Sequence, residues 1–248
     1  MVLWQKNFPI RFLSLVLALG LIGIGFSVTA AHTANIALTP AVTPSPEPSE
    51  MTVVIDAGHG GEDGGAVSEG GVCEKNINLQ IASLLCDMLK ESGIRVVMTR
   101  TEDTLLYDKS ADYQGRKKAL DLAARKQIAE ESGNCIFVSI HLNSFPLEQY
   151  RGLQVWYSKN NPESAVLAER IRSTVKDSLQ PENDRACKSA TSSIYLLHHL
   201  HVPAVLVECG FLSNAEEAAL LSDGDYQKKL AATLCKSILT YLGRALQT

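Results

Sequence analysis

Short apolar runs alternate with amphipathic segments along the chain from Met51 onward. Runs rich in β-branched and other apolar residues predict strands over Thr52–Asp56, Ile94–Thr99, Ile136–Ile140, Leu153–Tyr157 and Ala204–Val207. Apolar positions at helical spacing predict helices over Glu74–Ser92, Lys117–Glu131, Glu163–Leu179 and Asp225–Tyr241. Because almost wholly apolar strands alternate with helices, the pattern predicts a single α/β domain. Its central sheet should be mostly parallel or mixed, with helices on both faces.

The segment before Met51 differs in composition from the rest of the chain. Lys6 and Arg11 precede an uncharged apolar run over residues 12–28, and small residues follow it. This order is typical of a secretory signal, although a run of this length also fits a membrane anchor. Either interpretation predicts an exported protein. We therefore divide the chain into a signal peptide or N-terminal membrane anchor (1–31), a Pro-rich linker (32–50) and one folded domain (51–248).

Charge and cysteine content narrow the class of protein further. The formal net charge of −4 argues against a nucleic-acid partner. The six cysteines belong to an exported chain, where disulfides can form, but their spacing selects no pairing. Cys86, Cys135 and Cys235 fall on apolar segments, which favours buried free thiols. Cys73 and Cys209 adjoin two glutamates discussed below, yet thiolate ligands would favour a closed, structural zinc site.

Four residues that could bind or serve a metal lie next to predicted strands and helices. His59 follows the first strand in a Gly-rich loop, and Glu74 opens the first helix. His141 and Glu208 each end an apolar strand. Ligands in such folds gather beyond the carboxyl ends of the strands, so these residues can converge there. Three His or carboxylate ligands with an open water position define a catalytic zinc site, and a fourth acidic group would supply the general base.

Each of the four residues also has a simpler interpretation. His59 could be a loop histidine without a role, and its loop lacks the Lys-Ser/Thr ending of a phosphate-binding loop. Glu74 could serve only the helix dipole, and His141 could be a hydrogen-bonded core histidine. Glu208 is the hardest to explain in this way, because a lone carboxylate on an apolar strand is costly.

Other polar residues are candidates for contact with a substrate. Asn143 and Ser144 follow His141 directly. His198 and His201 are spaced so that they would share one helical face near the surface. We expect His198 to support the site or contact the substrate rather than to bind metal.

Taken together, these segments resemble the zinc-dependent N-acetylmuramoyl-L-alanine amidases of the type 3, AmiC-like catalytic family. The resemblance spans nearly all of the folded domain. The matching segments occur in family order: Val54–Gly61 (VIDAGHGG), Glu74–Leu79 (EKNINL), Thr99–Arg100 with Asp103, Ser139–Ser144 (SIHLNS) and Pro203–Asn214 (PAVLVECGFLSN).

The resemblance implies a role for each candidate residue. His59, Glu74 and His141 would hold one Zn²⁺ per chain, and Glu208 would be the catalytic glutamate. The implied reaction is hydrolysis of the amide bond between the lactyl group of N-acetylmuramic acid and L-alanine in peptidoglycan. His198 stands where relatives often carry a longer basic side chain, which leaves recognition of substrate charge open.

Within the family, Ser144–Pro146 followed by Arg151–Gly152 is similar to the germination-specific spore-cortex amidases (the CwlD type). This similarity implies removal of peptides from muramic acid, a step toward the muramic-δ-lactam of spore cortex. The protein is then expected in the cell wall or in the intermembrane space of the forespore, free or attached to the membrane. The requirement for an accessory exported protein is left open.

The residues by themselves leave three other functions open. A metal-free pair of Glu74 and Glu208 would act as a glycosidase and release new reducing ends. A zinc endopeptidase or deacetylase would direct the same metal chemistry at another bond. A wall-binding protein with an inactive site would catalyse nothing.

Overall fold

The computed structural model describes residues 51–108, 110 and 114–244. The predicted export segment and the Pro-rich linker lie outside these ranges, so their assignment stays a prediction. None of the helices within the described ranges is long and apolar enough to cross a membrane.

Strands and helices alternate for most of the chain. The strands are β1 (Thr52–Ala57), β2 (Val96–Met98), β3 (Cys135–Asn143), β4 (Gln154–Tyr157), β5 (Lys188–Ser189) and β6 (Ala204–Phe211). The helices are α1 (Glu74–Glu91), α2 (Lys117–Glu131), α3 (Glu163–Ser178), α4 (Tyr195–His199), α5 (Ala215–Ser222) and α6 (Gly224–Tyr241).

The sheet has the strand order β2-β1-β3-β6-β4-β5. β1 pairs in parallel with β2 and β3, and β3 pairs in parallel with β6. β4 then runs antiparallel to β6, and β5 runs parallel to β4. The predicted α/β domain with a mixed sheet is therefore confirmed, and its four neighbouring strands β2, β1, β3 and β6 run parallel.

Helices cover both faces of this sheet, because alternate residues of each strand point to opposite sides. On the first face, Val53, Val138 and Val207 belong to one buried apolar core together with residues of α1, α3 and α6. On the second face, Val54 and Phe137 belong to a smaller core with residues of α2 and α4. The second core is smaller because only the amino-terminal parts of β1, β3 and β6 are apolar on this face.

Toward the carboxyl ends of the strands, the second face becomes polar. Asp56 lies two residues beyond Val54 on β1, and Ser139 and His141 continue the alternation on β3. Glu208 faces the same side, since it pairs in register with His141. The sheet thus presents acids and a histidine on the one face where α2 and α4 leave a cleft.

Helix α1 shows how the sequence pattern produces these contacts. Ile77, Ile81, Leu85 and Leu89 recur every four residues and are all buried, so one stripe of the helix packs into the first core. The helix ends before Gly93, whose φ of 74° is the left-handed conformation that commonly terminates helices.

Boundaries differ from the predicted ones mainly at the functional end of the sheet. α2 matches its prediction, whereas β3 and β6 continue beyond Ile140 and Val207. His141 and Glu208 therefore lie inside strands and not at their ends, because the ladder between β3 and β6 continues through both residues. The short elements β5 and α5 were not predicted, since two to eight residues carry too little periodicity. A helix near His198 was expected only from the spacing of His198 and His201, and α4 ends at His199.

Candidate metal centre

The loop after β1 brings His59 over the carboxyl end of the sheet. The backbone of His59 has a φ of 62°, which side-chain-bearing residues rarely adopt. The preceding residue has to be glycine, because a Cβ on Gly58 would lie 2.3 Å from Nε2 of His141. The imidazoles of His59 and His141 come edge to face, with ring centroids 4.8 Å apart.

Glu74, the first residue of α1, lies between the two histidines. Its Oε2 is 3.2 Å from Nε2 of His59, and its Oε1 is 2.9 Å from Nδ1 of His141. The backbone amides of Ala66 and Leu142 donate to the same carboxylate at 2.8 and 2.9 Å. Each carboxylate oxygen of Glu74 therefore accepts from a backbone amide and faces one histidine.

This arrangement fixes the charge of the carboxylate. Burial alone would raise the pKa of Glu74, but its hydrogen bonds to His141 and His59 hold that pKa far below the ordinary value. Burial would lower the pKa of His59, but Glu74 and Asp63 outweigh it and raise that pKa. Glu74 is thus an ionised ligand candidate and not a proton donor.

Glu208 carries the same functional group in the opposite environment. It pairs with His141 across β3 and β6, and its Oε2 is buried with no hydrogen-bond partner among the described residues. Burial raises the pKa of Glu208 to about 7, and the nearby carboxylate of Glu74 adds to the rise while His141 opposes it. A carboxyl with such a pKa can accept and release protons near neutral pH.

The donor atoms of His59, Glu74 and His141, which we call the metal centre, lie within 4.8 Å of one another. Two imidazole nitrogens and one carboxylate oxygen form a donor set that divalent metals such as zinc accept. The position next to these donors has to be glycine, because a Cβ on Gly65 would lie 2.5 Å from Oε2 of Glu74. The residues present therefore fit a bound metal ion.

Asp63 orients the first histidine and was not identified in the sequence. Its Oδ2 lies 2.9 Å from Nδ1 of His59, which directs Nε2 of that ring toward Glu74. Carboxylates that bind the outer nitrogen of a metal-ligating histidine fix its orientation and tautomer. The four-residue spacing from His59 within the Gly-rich loop was the available sequence signal.

A buried ion pair supports the same loop from below. Nη1 of Arg125 on α2 donates to Oδ1 of Asp56 at 2.7 Å, and both side chains are almost completely buried. Arg125 also donates to the carbonyl oxygens of Ala57 and His59 at 2.7 Å. Arg100 adds donors to the carbonyls of Ala57 and Gly58. Two arginines thus hold the backbone that carries His59.

The structure brings together His59, Glu74, His141 and Glu208, as the sequence predicted. Asn143 is the last residue of β3 and lines a separate groove. Ser144 follows the strand. His198 is exposed on α4, and its carbonyl oxygen accepts from Asn160. The predicted contacts of these residues with a substrate stay predictions.

The structure tests two further expectations, one about the helical face of His198 and His201 and one about the cysteines. His201 follows the end of α4 at His199, so it does not share a helical face with His198. All six cysteines are free, and Cys86, Cys135 and Cys235 are buried as predicted. Cys209 packs in the first core, on the face opposite Glu208.

Comparison with known proteins gives concordant matches. The model of the Amidase_3 family, described as N-acetylmuramoyl-L-alanine amidase, matches residues 53–240. The germination-specific N-acetylmuramoyl-L-alanine amidase of Bacillus subtilis is 38% identical over 193 residues, which cover 78% of this chain and 80% of that protein.

Solved structures agree with the sequence matches. The CwlD amidase from Clostridioides difficile, solved in complex with the GerS lipoprotein, is 39% identical with a TM-score of 0.73, covering 78% of this chain and 98% of that one. The amidase AmiC2 of Nostoc punctiforme is 33% identical with a TM-score of 0.66, covering 79% of this chain and 98% of that one.

The ion pair beneath the metal centre makes a testable prediction about stability. Burial would raise the pKa of Asp56, but Arg125 and Ser139 hold it below its ordinary value. Such a carboxyl stabilises the fold above the unfolded-state pKa of about 3.9 and loses this contribution as the pH falls below it. We expect Asp56→Asn to reduce the free energy of unfolding at neutral pH by about 3–5 kcal/mol.

Urea denaturation of both proteins across a series of pH values measures this effect. The difference between wild type and Asp56→Asn should be largest at neutral pH and should shrink below about pH 4. Asp87→Asn on the exposed side of α1 is the matched control and should change the free energy by less than about 0.5 kcal/mol. A difference that is independent of pH would contradict the assigned charge of Asp56.

Proposed function

The chain belongs to the N-acetylmuramoyl-L-alanine amidase family, and from this premise we propose that its amidase activity on peptidoglycan is zinc-dependent. In this proposal His59, Glu74 and His141 hold one Zn²⁺, and Glu208 is the catalytic base. The proposal is supported by one observation. Three possible metal-binding side chains converge near Glu208, whose buried Oε2 has no hydrogen-bond partner among the described residues. The cleaved bond joins the lactyl group of N-acetylmuramic acid to L-alanine.

Each residue has a distinct part in amide hydrolysis. A bound Zn²⁺ would supply Lewis acidity, which activates a water molecule near neutral pH and polarises the scissile carbonyl. Oε2 of Glu208 is free to accept the proton of the attacking water, because no described residue occupies it. Glu208 then delivers this proton to the leaving nitrogen. The products are a lactyl carboxylate on the glycan and a peptide with a free L-alanine amine.

The environment of Glu74 argues against the glycosidase alternative. A pair of catalytic carboxyls requires one to be protonated as the acid, while the other stays ionised. The pKa of Glu74 lies far below the ordinary value, and both of its oxygens already accept hydrogen bonds. In such a pair Glu208, whose pKa is raised to about 7, would be the acid, and Glu74 would have to be the base or nucleophile. Because a backbone amide and a histidine engage each oxygen of Glu74, neither oxygen is free for that role, and Glu74 suits a metal ligand instead.

We also propose a role in spore cortex, outside the cytoplasm. Its support is the similarity to the germination-specific amidase of Bacillus subtilis and to the CwlD amidase of Clostridioides difficile. The latter was solved with a lipoprotein, so an accessory exported protein is part of this proposal. The N-terminal segment would direct export and either be cleaved or attach the protein to the membrane.

Digestion of peptidoglycan by the purified full-length chain tests the bond and the metal together. We expect peptides that begin with L-alanine to be released, release to stop with a chelator, and activity to return with added Zn²⁺. Mass spectrometry of the products distinguishes the alternatives. New reducing sugar ends would indicate a glycosidase, deacetylated amino sugars a deacetylase, and cleaved peptide cross-links an endopeptidase.

Substitution of Glu208 separates catalysis from metal binding. We expect Glu208→Gln to keep one bound Zn²⁺ and to lose about 100-fold or more in turnover, because only the proton-accepting group is removed. His59→Ala should lose both the metal and the activity. Metal content by elemental analysis and turnover on a muramoyl-peptide measure the two effects, with exposed Glu216→Gln as the control. Wild-type turnover in Glu208→Gln would contradict the role of Glu208.

The cortex role predicts a chemical change in spores. Disruption of the gene in its host should yield spores whose cortex lacks muramic-δ-lactam and retains its peptides, and these spores should germinate poorly. Complementation with wild type should restore the lactam, whereas Glu208→Gln should not. Normal lactam content in the disrupted strain would leave the amidase activity standing and overturn the cortex role.

A further inference from the structure

A second concave surface lies beside Glu208, toward the edge of the sheet that β4 and β5 form. This groove of about 380 Å³ lies over β4, β5 and the end of β6, and we call it the cationic groove. Its floor begins at Gln154, which pairs in register with Glu208 across β4 and β6. Residues paired directly across antiparallel strands have Cβ atoms about 5 Å apart, so the groove begins beside Glu208.

The groove owes its name to Arg185 and Lys188. The guanidinium of Arg185 lies 4.6 Å from the ring centroid of Phe211 and 5.5 Å from that of Tyr150. Its Nε donates to the carbonyl of Arg151 at 2.8 Å, which fixes the plane of the group. Nζ of Lys188 lies 5.3 Å from the ring centroid of Trp156. Aromatic rings and one backbone carbonyl thus hold both cations.

Neither cation forms an ion pair with a carboxylate in the described part of the chain. Glu217 acts on Arg185 electrostatically but forms no ion pair with it, and the oxygens of Glu217 accept from the backbone amides of Gly152 and Phe211. None of the described residues that line the groove is acidic. Two cations without an ion-pair partner among the described residues stand out in one recess of a chain with a formal net charge of −4.

The cleft on the other side of Glu208 has a different charge pattern. This cleft, about 240 Å³, lies between the sheet and the helices α2 and α4. Its cations are neutralised within the protein, since Arg125 pairs with Asp56 and Asp121, and Lys118 lies 3.7 Å from Asp63. The two recesses that flank Glu208 therefore differ in net charge.

The two halves of the substrate differ in the same way. On one side of the scissile amide is an acetylated amino sugar, whose lactyl carboxyl is neutral because it forms the amide. On the other side is a peptide, which carries at least the carboxylate of its C-terminus and those of any acidic residues. Charge complementarity selects the recess with unpaired cations for the anionic half.

We propose that the cationic groove binds the anionic peptide of the substrate, with Arg185 and Lys188 contacting its carboxylates. The inference rests on the proposed amide hydrolysis, because it takes the scissile bond to lie beside Glu208. Arg185 acts as a planar, preorganised partner for a carboxylate, and Lys188 as a mobile point charge at the rim. Phe145, which is 45% exposed, packs edge to face on Tyr150 and extends the apolar wall.

Paired substrates test this inference by kinetics. One is N-acetylmuramoyl-L-Ala-D-Glu, and the other is the same molecule with both carboxyls converted to carboxamides. We expect the full-length wild type to show a KM about tenfold lower for the acid, with kcat equal within about twofold. In the double variant Arg185→Gln, Lys188→Gln the two KM values should become equal.

Further variants separate a lost contact from a damaged fold. Arg185→Lys keeps the charge and should retain most of the preference, and Lys188→Glu at an exposed position should favour the carboxamide. Lys229→Gln on the exposed side of α6 is the control and should keep the wild-type ratio. Equal KM values in the wild type, or a ratio that survives the double variant, would overturn the inference while leaving the amidase activity intact.

A binding measurement gives a readout that does not depend on turnover. The chain has two tryptophans, Trp4 and Trp156, so Trp4→Phe makes the fluorescence of the full-length chain report on the groove. The dipeptide L-Ala-D-Glu should change this fluorescence as it draws Lys188 from the indole, and its diamide should not. A response to the acid dipeptide with neither substrate cleaved would support the groove and count against the assigned bond. No response to either would overturn the groove.

Discussion

The buried ion pair of Asp56 and Arg125 ties together the parts of the fold that carry the proposed catalytic residues. Asp56 lies near the carboxyl end of β1 and also accepts from Thr99 after β2 and from Ser139 on β3. Arg125 reaches from α2 to this carboxylate and to two carbonyls of the following loop. A buried charge is tolerated only when its hydrogen-bonding groups have partners. Displacement of the loop would remove the two carbonyl acceptors and leave donors of the buried Arg125 without partners. The strained backbone of His59 is held by this requirement.

The two glutamates show how one side chain acquires two chemical roles. Glu74 is surrounded by donors, which keep it ionised and suit it to the proposed role of metal ligand. Glu208 lies on the same sheet face as His141 but receives no donor at Oε2 within the described residues, and burial raises its pKa to about 7. Opposite environments that separate the pKa values of two nearby carboxyls are typical of acid–base enzymes. In the proposed reaction, burial and hydrogen bonding therefore decide which glutamate binds the metal and which transfers protons.

The sequence predicted these residues because their signals are local. Glu74 opens a long periodic helix, and His141 and Glu208 interrupt apolar strands, so each is conspicuous within its own segment. Arg125 was not identified, because a lone arginine in a polar helix resembles a solvated residue and its partner Asp56 is 69 positions away. The ends of β3 and β6 were placed too early for a related reason. A polar residue on an otherwise apolar strand suggests an end, whereas here it faces an open cleft while the ladder continues.

The least predictable part of the sheet is the part where recognition of the substrate is expected. β5 has two residues, which is too short for a clear periodic pattern in the sequence. β4 has four residues and runs antiparallel to β6, which reverses the strand direction at this edge of the sheet. This reversal places Gln154 beside Glu208 and Trp156 two residues further along, so the groove extends directly from the catalytic carboxylate. The parallel strands and α1 place the reacting groups, and the short edge strands present the unpaired cations. In the proposed function, chemistry and peptide recognition thus depend on different elements of one sheet, and we expect changes in β4 and β5 to alter the peptide preference without moving the metal centre.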